Sequence, residues 1–217
     1  MAIEINDSSN YTAYPIIKHQ QIGQSCNLSV IRFEQRDRLR KDPVTNQMVK
    51  IPNGLDRNNQ PKFKQELVIH CVFASGDMVA ALGDHSGVPA AGDRVRVILK
   101  GRSFGDWIEA KKAHRGGRFH VGDGMILSTT HAQQYDQNGN PKGGKLESQA
   151  EAAAVPRNVT IGFYGTLQLV ASESASWAAE MVGAAETAYR ADEAAKRQQQ
   201  AIQLPAGEAE EAEEEYS

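Results

Sequence analysis

The chain has 217 residues, of which 40% are hydrophobic and 24% charged, and its formal net charge is −3 at pH 7. That length allows one domain with a core of its own plus extensions. The apolar runs stay well short of the roughly 18 residues that a membrane span needs, and the first fifteen residues lack the basic-then-apolar pattern of a secretory signal. We therefore expect a cytoplasmic protein rather than a membrane-spanning or secreted one.

The charge is distributed unevenly along the chain. Residues 208–217 contain six glutamates and no lysine or arginine. Without them, 24 Lys and Arg stand against 21 Asp and Glu, so residues 1–207 carry a net charge of +3. A basic body with an acidic end is the pattern that a functional interpretation has to explain.

Two strands are predicted in the first third of the chain. The first spans residues 25–35, and its apolar alternation slips by one position after Val30, which is typical of a β-bulge. The second spans residues 63–74 and has the strongest strand pattern in the sequence. Cys26 and Cys71 lie in these strands, and we expect them to be reduced core residues rather than a disulfide. The predicted core face of the second strand consists of Leu67, Ile69, Cys71 and Phe73.

A strand, a basic helix and another strand are predicted between residues 93 and 130. The third strand has an apolar face made of Val95, Val97 and Leu99. A helix follows over residues 106–115 and is ended by a Gly-Gly pair. A fourth strand is predicted to begin near Arg118 and to be carried by Phe119, Val121, Met125 and Leu127. The fifth strand spans residues 159–170.

Five strands with a helix between the third and fourth is the element order of an OB-fold barrel, so the predicted fold is mainly β. The barrel is expected over residues 25–171, preceded by an arm of residues 1–24 that packs partly on it. Residues 172–204 are predicted to form an alanine-rich helix, and the Glu-rich residues 205–217 are expected to be disordered. The apolar stripe predicted for that helix is Trp177, Met181, Ala184 and Ala188.

Two turn sequences resemble each other. Residues 56–62 read DRNNQPK and residues 136–142 read DQNGNPK, with Asp, Asn, Pro and Lys at the same spacing. This composition predicts two similar hairpin tips. The second also matches part of a calcium-loop spacing, but Pro141 stands where that loop requires glycine, so a turn is the better interpretation.

The candidate binding residues are basic side chains in three separate segments, with a few aromatic ones. Sequence-independent binding of a single strand requires a cationic groove along the phosphates and aromatic faces on which bases stack. The basic candidates of the first two segments are Arg36, Arg38, Arg40, Lys41, Lys62 and Lys64. Those of the third are Arg94, Arg96, Lys100, Arg102, Lys111, Lys112, Arg115 and Arg118. The aromatic candidates are Trp107, Phe119 and Tyr164.

Each of these candidates has a second interpretation. A single lysine or arginine more often solvates a surface, and the convergence of three basic segments on adjacent strands is what favours binding. Trp107 and Phe119 are equally compatible with a place in the core. The acidic end either confers solubility or competes with phosphates for the basic groove and is released to partner proteins. Its candidate partner-binding residues are Glu213, Glu214, Glu215 and Tyr216.

The sequence offers no catalytic constellation. His114, His120 and His131 have no paired ligands at zinc spacing, and the glycine-rich stretch near residue 120 resembles neither phosphate-loop fingerprint. We therefore expect a protein that is not an enzyme and that uses neither a metal nor a cofactor.

Three runs resemble the single-stranded-DNA-binding proteins of bacteriophages that infect actinobacteria and related hosts. They are DPVTNQMVKIPNGLDRNNQPKFKQELVIHCVFAS, DRVRVILKGRSFGDWIEAKKA and GGRFHVGDGMILST, and the resemblance covers residues 26–170. It implies an OB-fold core that coats single-stranded DNA during replication, recombination or repair in the infected cell. It also implies an acidic tail that recruits replication or recombination proteins, although Tyr216 is penultimate here and such tails end in an aromatic or apolar residue.

Two other functions remain open from the sequence. A virion structural or assembly protein would use the alanine-rich helix to form a homo-oligomer and its charged ends to pair with partners. An RNA-binding OB domain would carry the same basic segments.

Overall fold

The computed structural model describes residues 14–79, 88–156 and 158–203. It is mainly β. The strands are β1 (Ile16–Ile17), β2 (Ile22–Asp37), β3 (Leu39–Lys41), β4 (Met48–Lys50), β5 (Pro52–Leu55), β6 (Pro61–Phe63), β7 (Gln65–Met78), β8 (Arg94–Lys100), β9 (Gly124–Tyr135), β10 (Pro141–Leu146) and β11 (Thr160–Val170). The α-helices are α1 (Arg102–Ala113), α2 (Gln149–Ala154) and α3 (Ser176–Gln203), and short 3-10 turns lie at His19–Gln21, His114–Gly117 and Ser172–Ser174.

Seven strands form one mixed sheet. The five long ones follow the order β8-β7-β2-β9-β11, in antiparallel pairs. The short β1 pairs in parallel with β8 at one edge, and β10 pairs with the far part of β9. The predicted closed barrel is not found, because no ladder joins β8 to β11 within the described ranges.

The strands bury the faces that their alternation predicts. Ile69 on β7 and Val95 on β8 are at most 1% exposed, and Leu28 on β2 is fully buried. The predicted core faces of the second and third strands are thereby confirmed, and Cys26 and Cys71 are free, buried thiols. Burial raises the pKa of Cys26 to about 12, so its thiol stays protonated and packs as an apolar group.

The predicted bulge in β2 is confirmed. Val30 pairs with Cys71 and Arg32 pairs with His70, so Ile31 is the additional residue. Beyond the bulge the alternation reverses, and Phe33 returns to the core face while Ile31 lies on the opposite face under α3. One slipped residue thus lets a single long strand serve two apolar layers.

Several predicted boundaries are wrong. The helix α1 begins at Arg102, four residues before the predicted start, and the fourth strand begins at Gly124 rather than near Arg118. The chain has to turn before β9, with Gly122 at φ 92° in the left-handed region that favours glycine. Of the predicted N-terminal arm of residues 1–24, the described part supplies β1 and the first three residues of β2 to the sheet.

The turn before β9 is organised by one buried carboxylate, Asp123. Its oxygens accept hydrogen bonds from the side chains of His114 (2.9 Å) and Arg115 (3.1 Å). They also accept from the backbone N–H groups of His120 (2.9 Å) and Ser172 (3.1 Å). Burial opposes ionisation, yet these donors together hold the pKa of Asp123 below its usual value. Asp123 therefore connects the end of α1, the start of β9 and the segment that leads into α3.

The helix α3 packs across the outer face of β2 and β7. Ala185 is fully buried and Ala188 is 9% exposed, in one cluster with Ile31, Val72 and the half-buried Met181. Ala184, which the predicted stripe includes, is exposed, so the buried stripe runs one position later at that turn. Among the described residues, none of the helices combines the length and the hydropathy needed to cross a bilayer.

Candidate nucleic-acid interface

Residues 38–64 form two hairpins, β3–β4 and β5–β6, which we call the basic arm. The hairpins are joined where they leave the sheet. The Arg38 N–H donates to the Lys64 carbonyl (2.7 Å), the Ile51 N–H to the Arg38 carbonyl (2.9 Å), and the Lys64 N–H to the Ile51 carbonyl (2.8 Å). These three bonds fix the root of the arm between the end of β2 and the start of β7.

The basic arm carries an excess of positive charge on exposed side chains. It contains seven Lys and Arg against two Asp, and none of its residues, all of which the structure describes, is buried. Its cations are Arg38, Arg40, Lys41, Lys50, Arg57, Lys62 and Lys64. Apolar side chains are exposed beside them, and Val44 and Leu55 are 86% and 62% exposed. An arm of this composition presents cations and apolar contact surface without a core of its own.

The two aspartates of the arm are used in its turns. The Asp42 carboxylate accepts the N–H groups of Val44 and Thr45 (both 2.8 Å), and those N–H groups hold its pKa below the usual value. Asp56 accepts the N–H groups of Asn58 (2.7 Å) and Gln60 (2.8 Å). Both carboxylates therefore accept backbone hydrogen bonds at the hairpin tips, away from the root of the arm.

The prediction of two similar hairpin tips is confirmed. Asp136 at the β9–β10 turn accepts the N–H groups of Asn138 and Asn140 (both 2.8 Å), as Asp56 does at the β5–β6 turn. The strand β9 is antiparallel to β2, and the last pair between them joins Ser25 to Ser128. The rest of β9 therefore extends past the start of β2, and the β9–β10 hairpin lies there. The basic arm leaves the end of β2. The basic arm and the β9–β10 hairpin thus lie beyond opposite ends of β2.

The positive surface continues from the arm root onto the sheet. Arg36, Glu66 and Lys100 lie side by side on β2, β7 and β8. The Glu66 carboxylate pairs with the Arg36 Nε (2.9 Å) and the Lys100 Nζ (3.2 Å), which leaves one net positive charge. The exposed Arg102 follows at the start of α1. Farther along α1, the Lys111 Nζ lies 4.4 Å from the centroid of the Phe33 ring.

The outer face of β7 and β8 is different from the predicted cationic groove. The two Arg94 Nη2 contacts to the Asp192 carboxylate of α3 measure 2.6 and 2.7 Å, and the Arg32 Nε lies 3.1 Å from the same group. Arg94 is six residues from Lys100 along β8, or about 20 Å in an extended strand. The charge of Arg94 is therefore neutralised far from the arm root.

His70 lies beneath this ion-pair cluster. It is 5% exposed, and neither of its ring nitrogens has a hydrogen-bond partner in the described part of the chain. Burial and the nearby Arg32 guanidinium lower the pKa of His70 from 6.5 to about 4. The outward side of the second strand is thus covered and neutral at this point rather than exposed.

This burial gives a pH-dependent stability. The folded-state pKa of His70 is below its unfolded value, so its contribution is intact above pH 6.5 and is lost as the pH falls from 6.5 toward 4. We expect the free energy of unfolding to fall less steeply over that window in His70→Gln than in the parent protein. Urea unfolding at pH 7 and pH 5 measures the difference, and identical pH dependence in the two proteins would contradict the assignment.

Four further candidates lie outside the arm and outside β2 and β7, the strands that it joins. The Arg96 Nε donates to the Tyr14 carbonyl (3.0 Å), and Arg115 pairs with Asp123 and Glu173, of which the Glu173 contact chiefly raises the pKa of Arg115. Arg118 is exposed in the segment before β9. Tyr164 on β11 stacks in parallel on His131, with ring centroids 5.0 Å apart.

The remaining aromatic candidates belong to the core. Trp107 is 2% exposed, and its ring centroid is 5.3 Å from that of Phe33. Phe119 is half-buried and meets Phe33 edge-on at 5.7 Å. Of the two interpretations that the sequence left open, the core position applies to Trp107, which has no face accessible to a base.

The structure adds residues that the sequence interpretation missed. Lys50 and Arg57 belong to the basic arm, and their place in the same charged loop was a usable signal. Lys50 also pairs with Asp37 (2.7 Å). Phe33 and Phe104 line an opening at the arm root, which only the bulge in β2 and the three-dimensional packing of α1 bring together.

Two features remain, the acidic end of the chain and the side chains that could bind a metal. The acidic end and its residues Glu213, Glu214, Glu215 and Tyr216 fall in the part of the chain that is not described. Within the described ranges, no three side chains of His, Cys, Asp or Glu cluster as metal ligands would. Comparisons of the chain with protein-family models, curated proteins and solved structures found no match.

Proposed function

We propose that this protein binds single-stranded DNA without sequence preference and that the basic arm is its principal contact surface. The observation that carries the proposal is the charge of the arm: seven cations and two turn-capping aspartates on a segment with no buried residue. Clustered cations on one exposed segment create a positive electrostatic potential that attracts a polyanion. The phosphate backbone of a nucleic acid is such a polyanion. The resemblance of residues 26–170 to phage single-strand-binding proteins supports the same function.

We infer further that the fold is an OB fold left open at the β8–β11 seam. The order β8-β7-β2-β9-β11, with α1 between β8 and β9, supports this inference. In OB folds the loop between the first two strands and the face of the second and third strands bind oligonucleotides. The basic arm occupies the place of that loop.

The mechanism is counterion release assisted by apolar contact. The cationic side chains of the arm, together with Lys100 and Arg102, replace the counterions condensed on the single-stranded DNA. Each phosphate that is neutralised changes the slope of log K against log salt by about −0.7. Contact by all seven arm cations would give a slope of about −5. The exposed apolar side chains of the arm then cover sugars and bases, which requires no particular sequence.

An oligo-dT titration at about 50 and 200 mM salt tests the proposal. The expected result is saturable binding that weakens by up to roughly a thousandfold over that range. Absence of saturable binding would favour a structural role in a virion, and a stronger competition by RNA than by DNA would favour the RNA-binding alternative. The same titration on a chain ending at Gly207 tests the acidic end, for which we expect equal or higher DNA affinity.

We propose that the acidic end recruits replication or recombination proteins. Its six glutamates are opposite in sign to the arm, so DNA on the arm would free the end for a partner. Host or phage replication proteins that bind the full chain but not the chain ending at Gly207 are the expected outcome. Equal binding to both chains would contradict this role.

A further inference from the structure

An open cavity of about 430 Å³ lies at the root of the basic arm, between α1 and the ends of β2 and β7. Its volume falls in the range of small-molecule sites. One helical face of α1, at positions i, i+4 and i+7, supplies Phe104, Ile108 and Lys111, and β2 supplies Phe33 and Gln35. The cavity is thus walled by aromatic and aliphatic groups with polar groups at its mouth.

The walls of this cavity are held by the core. Trp107 and Leu67 at its base are 2% and 3% exposed. The Phe33 ring is fixed edge-on by Trp107 (5.3 Å, 64° between the ring planes) and by Phe119 (5.7 Å, 87°). A ring locked in this way loses little side-chain entropy when a ligand stacks against it. The inner wall of the cavity, formed by Phe33, Trp107 and Leu67, is therefore held in place by core packing.

The groups at the mouth suit an uncharged, flat ligand attached to a negative backbone. The Lys111 Nζ lies near the Phe33 ring, and Lys112 pairs with Glu109 at 2.7 Å on the exposed side of α1. The Gln35 amide, whose Nε2 lies 3.4 Å from the Gln65 Oε1, adds hydrogen-bonding capacity. Apolar walls exclude a charged group, while Lys111 favours an anion just outside, since Lys112 is already paired with Glu109.

The cavity is continuous with the proposed DNA surface. The strand β2 runs from Phe33 and Gln35 at the cavity to Asp37 and then directly into the basic arm. Two residues of an extended strand span only about 7 Å. A polyanion lying along the arm root therefore passes the mouth of the cavity.

We propose that this cavity receives one unpaired nucleobase of the bound single strand. This inference rests on the proposed function, because the arm supplies the phosphate contacts that bring the base to the mouth. The base enters between Phe33 on β2 and the α1 face that carries Phe104 and Ile108, and its phosphate stays outside near Lys111. The base contributes affinity by stacking and apolar burial, so any base is accepted.

The test compares two ligands of equal charge: oligo-dT and an all-abasic deoxyribose-phosphate strand of the same length. The parent protein should prefer oligo-dT. Ile108→Trp fills the cavity from a side chain that is 41% exposed, and it should reduce that preference by about 5- to 150-fold, the range for one stacked base. Its affinity for the abasic strand should stay unchanged, and Ile108→Val is the matched control that keeps the cavity open.

A second variant keeps the test decisive if Ile108→Trp does not fold. Gln35→Trp fills the cavity from the exposed end of β2 and should have the same selective effect. An undiminished preference for oligo-dT in either folded variant would overturn the cavity assignment while leaving the arm proposal intact. Failure of the parent protein to bind either strand would overturn the proposed function itself, and the two failures are thus distinguishable.

Discussion

Reversing Lys62 and Lys64 to glutamate is expected to lower the affinity for oligo-dT by at least about 25-fold at roughly 0.1 M salt. Each phosphate contact contributes about fivefold at that concentration through counterion release, and two contacts are lost. The added carboxylates also repel the backbone, so 25-fold is a lower bound. The slope of log K against log salt should become shallower by about 1.4. Both side chains are exposed on the arm, so folding is not expected to change.

The chain offers a matched control for this variant. Lys142 and Lys145 occupy the β9–β10 hairpin, which has the same Asp-capped tip and lies beyond the other end of β2. Reversing them changes the net charge by the same amount. We expect a much smaller loss of affinity and an almost unchanged salt slope. Equal losses in the two variants would indicate a general effect of net charge and would contradict a specific role of the arm.

Replacing Asp123 with alanine is expected to destabilise the fold by about 3–5 kcal/mol, the cost of removing one partner from a buried charge network. Four donors converge on this carboxylate, and two of them belong to His114 and Arg115. Without it, the Arg115 guanidinium keeps its contact with Glu173 but loses its buried partner. The end of α1 and the start of β9 would then lose the group that joins them.

Urea unfolding at pH 7 measures this loss, with Asp136→Ala as the control. Asp136 also accepts backbone N–H groups, but in an exposed turn, so its replacement should cost far less. The pKa of Asp123 is lowered by folding, so its contribution is present above the unfolded value of 3.8 and is lost as the pH falls through the folded value. The difference between Asp123→Ala and the parent should accordingly shrink in strong acid. A loss below about 1 kcal/mol at pH 7 would contradict the role assigned to Asp123.

Features governed by neighbours in the chain were predictable from the sequence. The apolar face of β7, the bulge after Val30 and the Asp-capped tips at Asp56 and Asp136 all depend on residues within a few positions of each other. The start of α1 was misplaced because Gly105 is a poor helix former. Ser103 lies in the first turn of α1, where its hydroxyl donates to the Lys100 carbonyl and accepts the Lys100 N–H.

Which cations reach solvent was not predictable, because the answer depends on distant partners. Arg94 and Lys100 occupy equivalent outward positions on β8, yet Arg94 pairs with Asp192, 98 residues later in the chain. No periodicity in either segment indicates that α3 crosses this face. Trp107 illustrates the same limit, since an amphipathic helix does not reveal which of its aromatic residues meets Phe33 in the core.

Lysine footprinting tests the central claim, that the basic arm holds the single strand, more directly than any affinity. The exposed lysines are acetylated with and without saturating oligo-dT, and their modification is quantified by mass spectrometry. We expect DNA to protect Lys41, Lys62 and Lys64, while Lys142 and Lys145 beyond the other end of β2 react equally in both samples. Unchanged reactivity of the arm lysines on saturation, or protection confined to Lys142 and Lys145, would contradict that claim.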